Sequence, residues 1–247
     1  MKQILGIDAG GTKIASGLVD EHFRVRQVRL EPTAQGGLTR QLVGLIKKYK
    51  TFDGIGLGVP GPVTAGGFVA ELPNIKGFKA MNLQAYLGRH FAVPIKVLND
   101  AKAFALAEAV AGAGKRAETV LGVVLGTGIG SGFVDHKRIY SGNNRVASEI
   151  GRILIENNLT LEQAMRQQGP SAAGLEPIIK VILTLAVRVI GPELIIFGGG
   201  RARNPSFPQV LERCRRTLLR HPASPRVKVS QLKHAGVIGA ALPLLKP

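Results

Sequence analysis

Two short stretches of this chain hold the residue types that handle phosphate. Asp8-Ala9-Gly10-Gly11-Thr12-Lys13 and Leu125-Gly126-Thr127-Gly128-Ile129-Gly130 each follow an apolar, strand-like run. A glycine-rich turn between two strands brings backbone N–H groups up to a phosphate with no Cβ in the way. Ser16-Gly17-Leu18-Val19-Asp20 follows the first turn and Ser131-Gly132-Phe133-Val134-Asp135 the second, like the return strand of one hairpin used twice. The copies are about 115 residues apart, roughly the length of a domain. The repetition predicts two similar domains and a cleft that grips a polyphosphate from both sides.

Asn99-Asp100 is the next candidate. The pair ends an apolar strand-like run and stands before an alanine-rich stretch. In open α/β sheets ligands bind outside the carboxyl ends of strands. A carboxylate there can take a proton from a hydroxyl, and the adjoining helix N-terminus favours its anionic form. Asp100 equally suits a helix N-cap; the two phosphate turns weigh toward chemistry. Gly198-Gly199-Gly200 is either a plain turn or a place where a flat ring lies against backbone. Glu149 and Glu162 are candidate hydroxyl acceptors. His22, His90, His136, His221 and His234 show no metal-ligand spacing.

The elements that must position these residues follow from periodicity. Strands are predicted over 4–8, 14–19 and 23–30, then a helix over 37–49 with apolar Leu38, Leu42, Leu45 and Ile46 on one stripe. A strand over 54–59 stops at Pro60-Gly61-Pro62, a short helix covers 82–91, and a buried strand over 95–98 leads into a helix over 101–113. The second half repeats the plan. Strands are predicted over 119–125 and 131–134, helices over 159–167 and 175–190, and a strand over 194–197. A basic helix over 208–220, a strand over 227–229 and a closing helix over 235–245 complete it. Three strands followed by alternating helix and strand, twice over, make an α/β fold with mixed sheets flanked by helices. The expected division is 1–113 for the smaller sugar and phosphate domain, with the closing helix packing back on it, and 114–234 for the larger nucleotide domain.

With 247 residues the chain can bury a substantial core. One cysteine, Cys214, excludes an internal disulfide and cannot alone hold a structural zinc. The apolar stretch 177–197 is broken by Lys180, Arg188, Pro192 and Glu193, which makes it a poor membrane span. A strand beginning directly after Met1-Lys2-Gln3 leads to the expectation of no cleavable leader and a cytoplasmic location. The net charge of +17, from 33 basic and 16 acidic side chains, favours polyanionic partners without choosing among nucleic acid, anionic membrane and phosphate-rich substrate. With three Tyr and no Trp, an aromatic stacking surface for nucleic acid is lacking.

Taken in order, Asp8-Ala9-Gly10-Gly11-Thr12-Lys13, Gly58-Val59-Pro60-Gly61-Pro62-Val63, Leu72-Pro73-Asn74, Leu98-Asn99-Asp100-Ala101, Leu125 to Gly132, Glu149-Ile150-Gly151 and Ala235 to Ala241 resemble the ROK family of sugar kinases and repressors. The resemblance implies an actin-like, ribonuclease H-like pair of domains closing over a hexose, glucose as first guess, and ATP with Mg2+. In that likeness Asp100 is the general base, and Asn99, Glu149, Arg152, Glu162 and Gly67 lie on the sugar side. Gly10, Gly11, Thr12 and Lys13 form one phosphate loop and Gly126, Thr127 and Gly128 the other. Asp8 lies near the Mg2+, and Gly198, Gly199 and Gly200 near the adenosine.

The chain departs from the family where many members read Glu-Ile-Gly-His before a cysteine-rich zinc loop. Here Glu149-Ile150-Gly151 is followed by Arg152 and no cysteines, so no zinc is expected. Arginine is longer, permanently charged and donor-only, which opens the sugar's identity to acidic or phosphorylated forms. No helix-turn-helix stands before the first strand, which argues against a DNA-binding repressor. The short, zinc-free form is also similar to polyphosphate glucokinases, whose polyanionic donor would suit a basic helix bearing Arg213, Arg215, Arg216 and Arg220. A non-catalytic sugar or nucleotide sensor is the reading from another class, and a homodimer is an expectation from the family alone.

Overall fold

The computed structural model describes residues 1–143, 145–169, 171, 173–218 and 224–245. The chain divides into two compact units, Met1–Ala107 with Gly142–Val146 and Lys233–Pro247, and Glu108–Ser141 with Ala147–Leu232.

The first unit is built on β1 (Gln3–Ala9), β2 (Lys13–Asp20) and β3 (Val25–Pro32), followed by α1 (Leu38–Ile46) and β4 (Gly54–Val59). A two-residue hairpin, β5 (Phe68–Val69) and β6 (Met81–Asn82), precedes α2 (Leu83–Gly88), β7 (Ile95–Asn99) and α3 (Asp100–Val110). The sheet order is β3-β2-β1-β4-β7. The first three strands run antiparallel to one another, and β4 and β7 continue parallel to β1. At the edge, β3 shifts register opposite Ser16 and Leu18 and leaves Val28 and Leu30 43% and 63% exposed.

Alternation decides which face each strand residue joins. Leu5, Ile7 and Ala9 of β1 and Ile55, Leu57 and Val59 of β4 bury against Leu38, Leu42, Leu45 and Ile46 of α1, the stripe predicted from sequence. The intervening residues of β4 are glycines.

The second unit repeats this design. It comprises β8 (Thr119–Leu125), β9 (Ile129–Asp135), β10 (Arg138–Tyr140), α4 (Leu161–Gln167), α5 (Glu176–Leu185), β11 (Leu194–Gly198), α6 (Phe207–Leu218) and β12 (Arg226–Val229). The order β10-β9-β8-β11-β12 carries the same sequence of antiparallel and parallel pairings as the first sheet. Its core joins Leu121, Val123 and Leu125 to α4, α5 and α6, with Phe197 and Phe207 edge-on at 5.7 Å. The mixed α/β architecture expected from the sequence is thus present in both halves.

The closing helix α7 (Ala235–Leu245) lies on the first sheet's glycine face. A Cβ on Gly6 would stand 2.2 Å from the Val237 carbonyl oxygen, one on Gly56 1.9 Å from that of Ala240, and one on Gly239 1.8 Å from that of Ala103. Main chain rests directly on main chain there, and only glycine permits it.

The helix predicted over 175–190 stops earlier. After α5 the turn widens over Ala186–Ile190, and Gly191, at φ 65°, closes it by donating to Ala186 O at 2.7 Å. The basic helix is observed as α6, and 219–220 lie outside the described residues.

Candidate active site

In the first unit, the pairing of β1 with β2 ends at Ala9 and Ile14, which leaves Gly10-Gly11-Thr12-Lys13 as the turn. Gly10 N–H donates to Lys13 O at 3.0 Å and closes it. The turn's carbonyls are held from behind: Thr33 Oγ1 donates to Gly10 O at 2.7 Å, Gln35 Nε2 to Gly11 O at 3.0 Å, and Thr33 N–H to Thr12 O at 3.0 Å. A Cβ on Gly11 would fall 2.7 Å from Asn74. Thr12 and Lys13 remain exposed.

Asp8, at the end of β1, lies over the start of α7, where a Cβ on Gly236 would stand 2.1 Å from Asp8 Oδ2. Burial pushes the Asp8 carboxyl up to about 6, against the opposing pull of the Lys13 charge. Two strands across, β7 delivers Asn99 and α3 begins with Asp100. At about 4.8 Å per strand, the ends of β1 and β7 are separated by roughly 10 Å.

Helix capping falls to Asn99. Its Oδ1 accepts the Lys102 N–H at 3.0 Å, and its Nδ2 donates to Gly61 O at 3.3 Å. Asp100 Oδ1 accepts the adjacent Ala101 N–H at 2.8 Å. The alternative reading of Asp100 as the N-cap is therefore displaced by one residue, because the Oδ1 of Asn99 reaches the N–H three positions on. Lys102, missed in the sequence, is buried on the same first turn and donates from Nζ to Arg145 O at 2.5 Å.

In the second unit β8 and β9 part at Leu125 and Ile129, so Gly126-Thr127-Gly128 is one residue shorter than its counterpart. Gly126 N–H donates to Gly128 O at 3.0 Å, the same closure. Arg166 Nε donates to Thr127 O at 3.2 Å and Arg201 Nε to Gly126 O at 3.2 Å. Glu162 Oε2 accepts the Ile129 N–H at 2.8 Å and fills the space above Gly128, where a Cβ would lie 2.1 Å away; its Oε1 accepts from Arg166 Nη2 at 2.5 Å. Gly199, at φ 91°, sits where a Cβ would meet Leu125 O at 2.4 Å. The strand ends of β8 and β11 thereby bring Gly198–Gly200 beside the Gly126 turn.

The remaining predicted residues are placed as follows. Glu149 precedes the short 3-10 turn Ile150–Arg152, and its Oε2 stands 3.9 Å from Arg152 Nε. Gly67 has φ 81° in the turn before β5, where Gln84 would meet any Cβ at 2.4 Å, so local geometry requires glycine there. Among the described residues no cluster of three or more His, Cys, Asp or Glu could hold a metal, and no helix is long and apolar enough to cross a membrane.

The basic helix is more compensated than its sequence shows. Arg213 pairs with Glu176 at 3.0 Å, while Arg215 and Arg216 pair with Glu212 at 2.7 and 2.9 Å. Hydrogen bonds from those two guanidinium groups hold the Glu212 carboxyl down to about 2. Arg220 lies outside the described residues.

Comparison with known proteins gives this geometry its context. An N-acetyl-D-glucosamine kinase of Vibrio cholerae is 39% identical over 155 residues, 60% of this chain and 51% of that protein. The chain spans about half the length of the curated relatives it matches. A ROK hexokinase from Thermus thermophilus superposes with a TM-score of 0.78 at 25% identity, over 97% of each chain. An inorganic polyphosphate/ATP-glucomannokinase from Arthrobacter sp. strain KM superposes at 0.77 with 26% identity, over 99% of this chain and 98% of that one. The model of the ROK family matches residues 4–173, a span that holds both glycine turns and the Asn99-Asp100 pair, and the chain belongs to that family.

Proposed function

We propose that this protein is a sugar kinase, moving the terminal phosphoryl group of ATP to a sugar hydroxyl with Asp100 as general base. The observation that carries the reading is the company of Asp100. It begins a helix already capped by Asn99, at the same end of the sheet as Asp8 and the Gly10–Lys13 turn. Phosphoryl transfer asks the protein mainly for positioning and charge stabilisation. In this reading Asp100 accepts the proton of the attacking hydroxyl, and the exposed end of the Gly10–Lys13 turn faces the transferred phosphate. Asn99 retains an Nδ2 proton and a lone pair for a sugar hydroxyl.

The donor set suits Mg2+ delivered on the nucleotide. Such an ion keeps several waters and takes few protein carboxylates beside the phosphates, and Asp8 is a single carboxylate without an acidic cluster around it among the described residues. When bound, the ion would neutralise charge on the phosphates; Asp8 would hold it through water or directly.

For the acceptor, N-acetylglucosamine stands ahead of glucose, on the name of the Vibrio relative. A coupled assay on N-acetylglucosamine, glucose and mannose, with Mg-ATP and with long-chain polyphosphate, tests the reading. Turnover that disappears in Asp100→Asn is the expected result. Turnover unchanged in that variant, or absent on every sugar with both donors, overturns it.

A further inference from the structure

The two glycine turns do the same structural work with different chemistry. In each, the carbonyls are held from behind so that the outer N–H groups stay available. The first turn is held by a hydroxyl, a side-chain amide and a backbone N–H, all neutral. The second is held by two guanidinium groups, those of Arg166 and Arg201. Neutral donors suffice to hold a carbonyl, so the requirement of the fold does not account for the charge.

The two arginines also differ from each other. Arg166 is neutralised by Glu162 on the preceding turn of α4. Arg201 is half-buried and donates only to carbonyls, Nε to Gly126 O and Nη1 to Gly169 O at 2.6 Å, and has no carboxylate within ion-pair distance among the described residues. A half-buried cation left without a counter-charge against a phosphate-type turn is costly unless an anion completes it. Its Nη2 protons are uncommitted among the described residues, and guanidinium suits phosphate oxygens geometrically.

We infer that Arg201 binds the phosphate chain of the phosphoryl donor at the Gly126–Gly128 turn, with Arg166 and Glu162 acting as positioning residues that fix the turn. The inference rests on the kinase reading for the word donor, but the anion site itself does not require turnover. Nucleoside triphosphate and inorganic polyphosphate share the chemistry that would be recognised.

The test is calorimetric titration of the full chain with Mg-ATP and, separately, with inorganic tripolyphosphate, in the unaltered protein and in Arg201→Ala and Arg201→Lys. Removing one charge-assisted contact is expected to weaken binding about tenfold or more. Arg201→Lys recovers part of the loss, and the thermal midpoint of both variants stays within a few degrees of the parent. Weakening toward both probes assigns Arg201 to the phosphate chain; weakening toward Mg-ATP alone supports the site and restricts it to nucleotide. Unchanged affinity for both, or binding of neither by the unaltered protein, overturns the inference. So does a loss that the lysine variant does not relieve and that tracks a fall in thermal midpoint. Arg201-dependent binding without turnover on any sugar leaves the anion site standing and removes the kinase reading.

Discussion

Asn99 caps the helix that Asp100 begins: Oδ1 of the first accepts the Lys102 N–H at 3.0 Å. On the proposed reading Asn99 holds the helix start and meets the sugar while Asp100 takes the proton, so their substitutions should separate. Asp100→Asn is expected to lower kcat by about 10²–10⁴-fold with little change in urea midpoint. Asn99→Ala should cost about 1 kcal/mol of stability through the lost cap. Parallel kinetics and urea melts check both.

Asp8 makes stability fall as pH rises. Its carboxyl ionises near 3.8 when unfolded and about 6 when folded, so between those values the folded state holds the extra proton. Its contribution to stability is fully present below about pH 4 and is lost as pH rises through 6. Asp8→Asn should match the parent at pH 4 and exceed it at pH 8, by on the order of 2 kcal/mol given partial exposure. Thermal melts at the two pH values read the difference directly.

The seat of α7 admits no side chain. Gly56→Ala would force a methyl to within 1.9 Å of the Ala240 carbonyl oxygen, and Gly239→Ala one to within 1.8 Å of that of Ala103. Neither obstacle is a flexible side-chain tip, so the helix itself must shift. Each variant should lose about 3 kcal/mol or more, at or above the upper end for overpacked cores. Gly44→Ala, in the exposed interior of α1 with open space around its Cβ, is the control and should raise the urea midpoint slightly, by up to about 1 kcal/mol of added helix stability.

Gly128→Ala tests the link between α4 and the second turn. The new methyl would stand 2.1 Å from Glu162 Oε2, so the carboxylate must move off the Ile129 N–H and disturb its pair with Arg166. The expected result is a several-fold rise in donor KM without a matching rise in sugar KM. Because Glu162→Ala removes the obstacle, the double variant should show a smaller loss than the two singles combined, a coupling of about 0.5–3 kcal/mol.

Much of this was legible in the chain. Both glycine turns, the strands around them and the apolar stripe of α1 carry local signals, namely period-two alternation, Gly-rich punctuation and helical spacing. The β5–β6 hairpin carries none, since two-residue strands are too short to show a period. Arg166 and Arg201 were invisible for another reason. Their partners are carbonyls of residues 39 and 75 positions away, and a backbone acceptor leaves no mark in sequence. The pairing of Arg213 in the basic helix was hidden by the same distance effect, because Glu176 lies 37 residues upstream. Capping by Asn99 in place of Asp100 turned on which of two adjacent side chains reaches the third N–H, and sequence does not resolve that.

The open flank of the first sheet gives part of the positive charge another meaning. Among the described residues strand β3 has no neighbour on one side in its sheet and shows Val28 and Leu30 to solvent, an arrangement on which a second chain could add a strand. Between and beside those residues stand Arg26 and Arg29, both exposed, and the register shift that bends the strand. Charged side chains and irregularity of this kind are how natural sheets keep their edges from recruiting copies of themselves. Charge repulsion at such an edge weakens with ionic strength, so high salt should shorten the time the protein stays dispersed at high concentration.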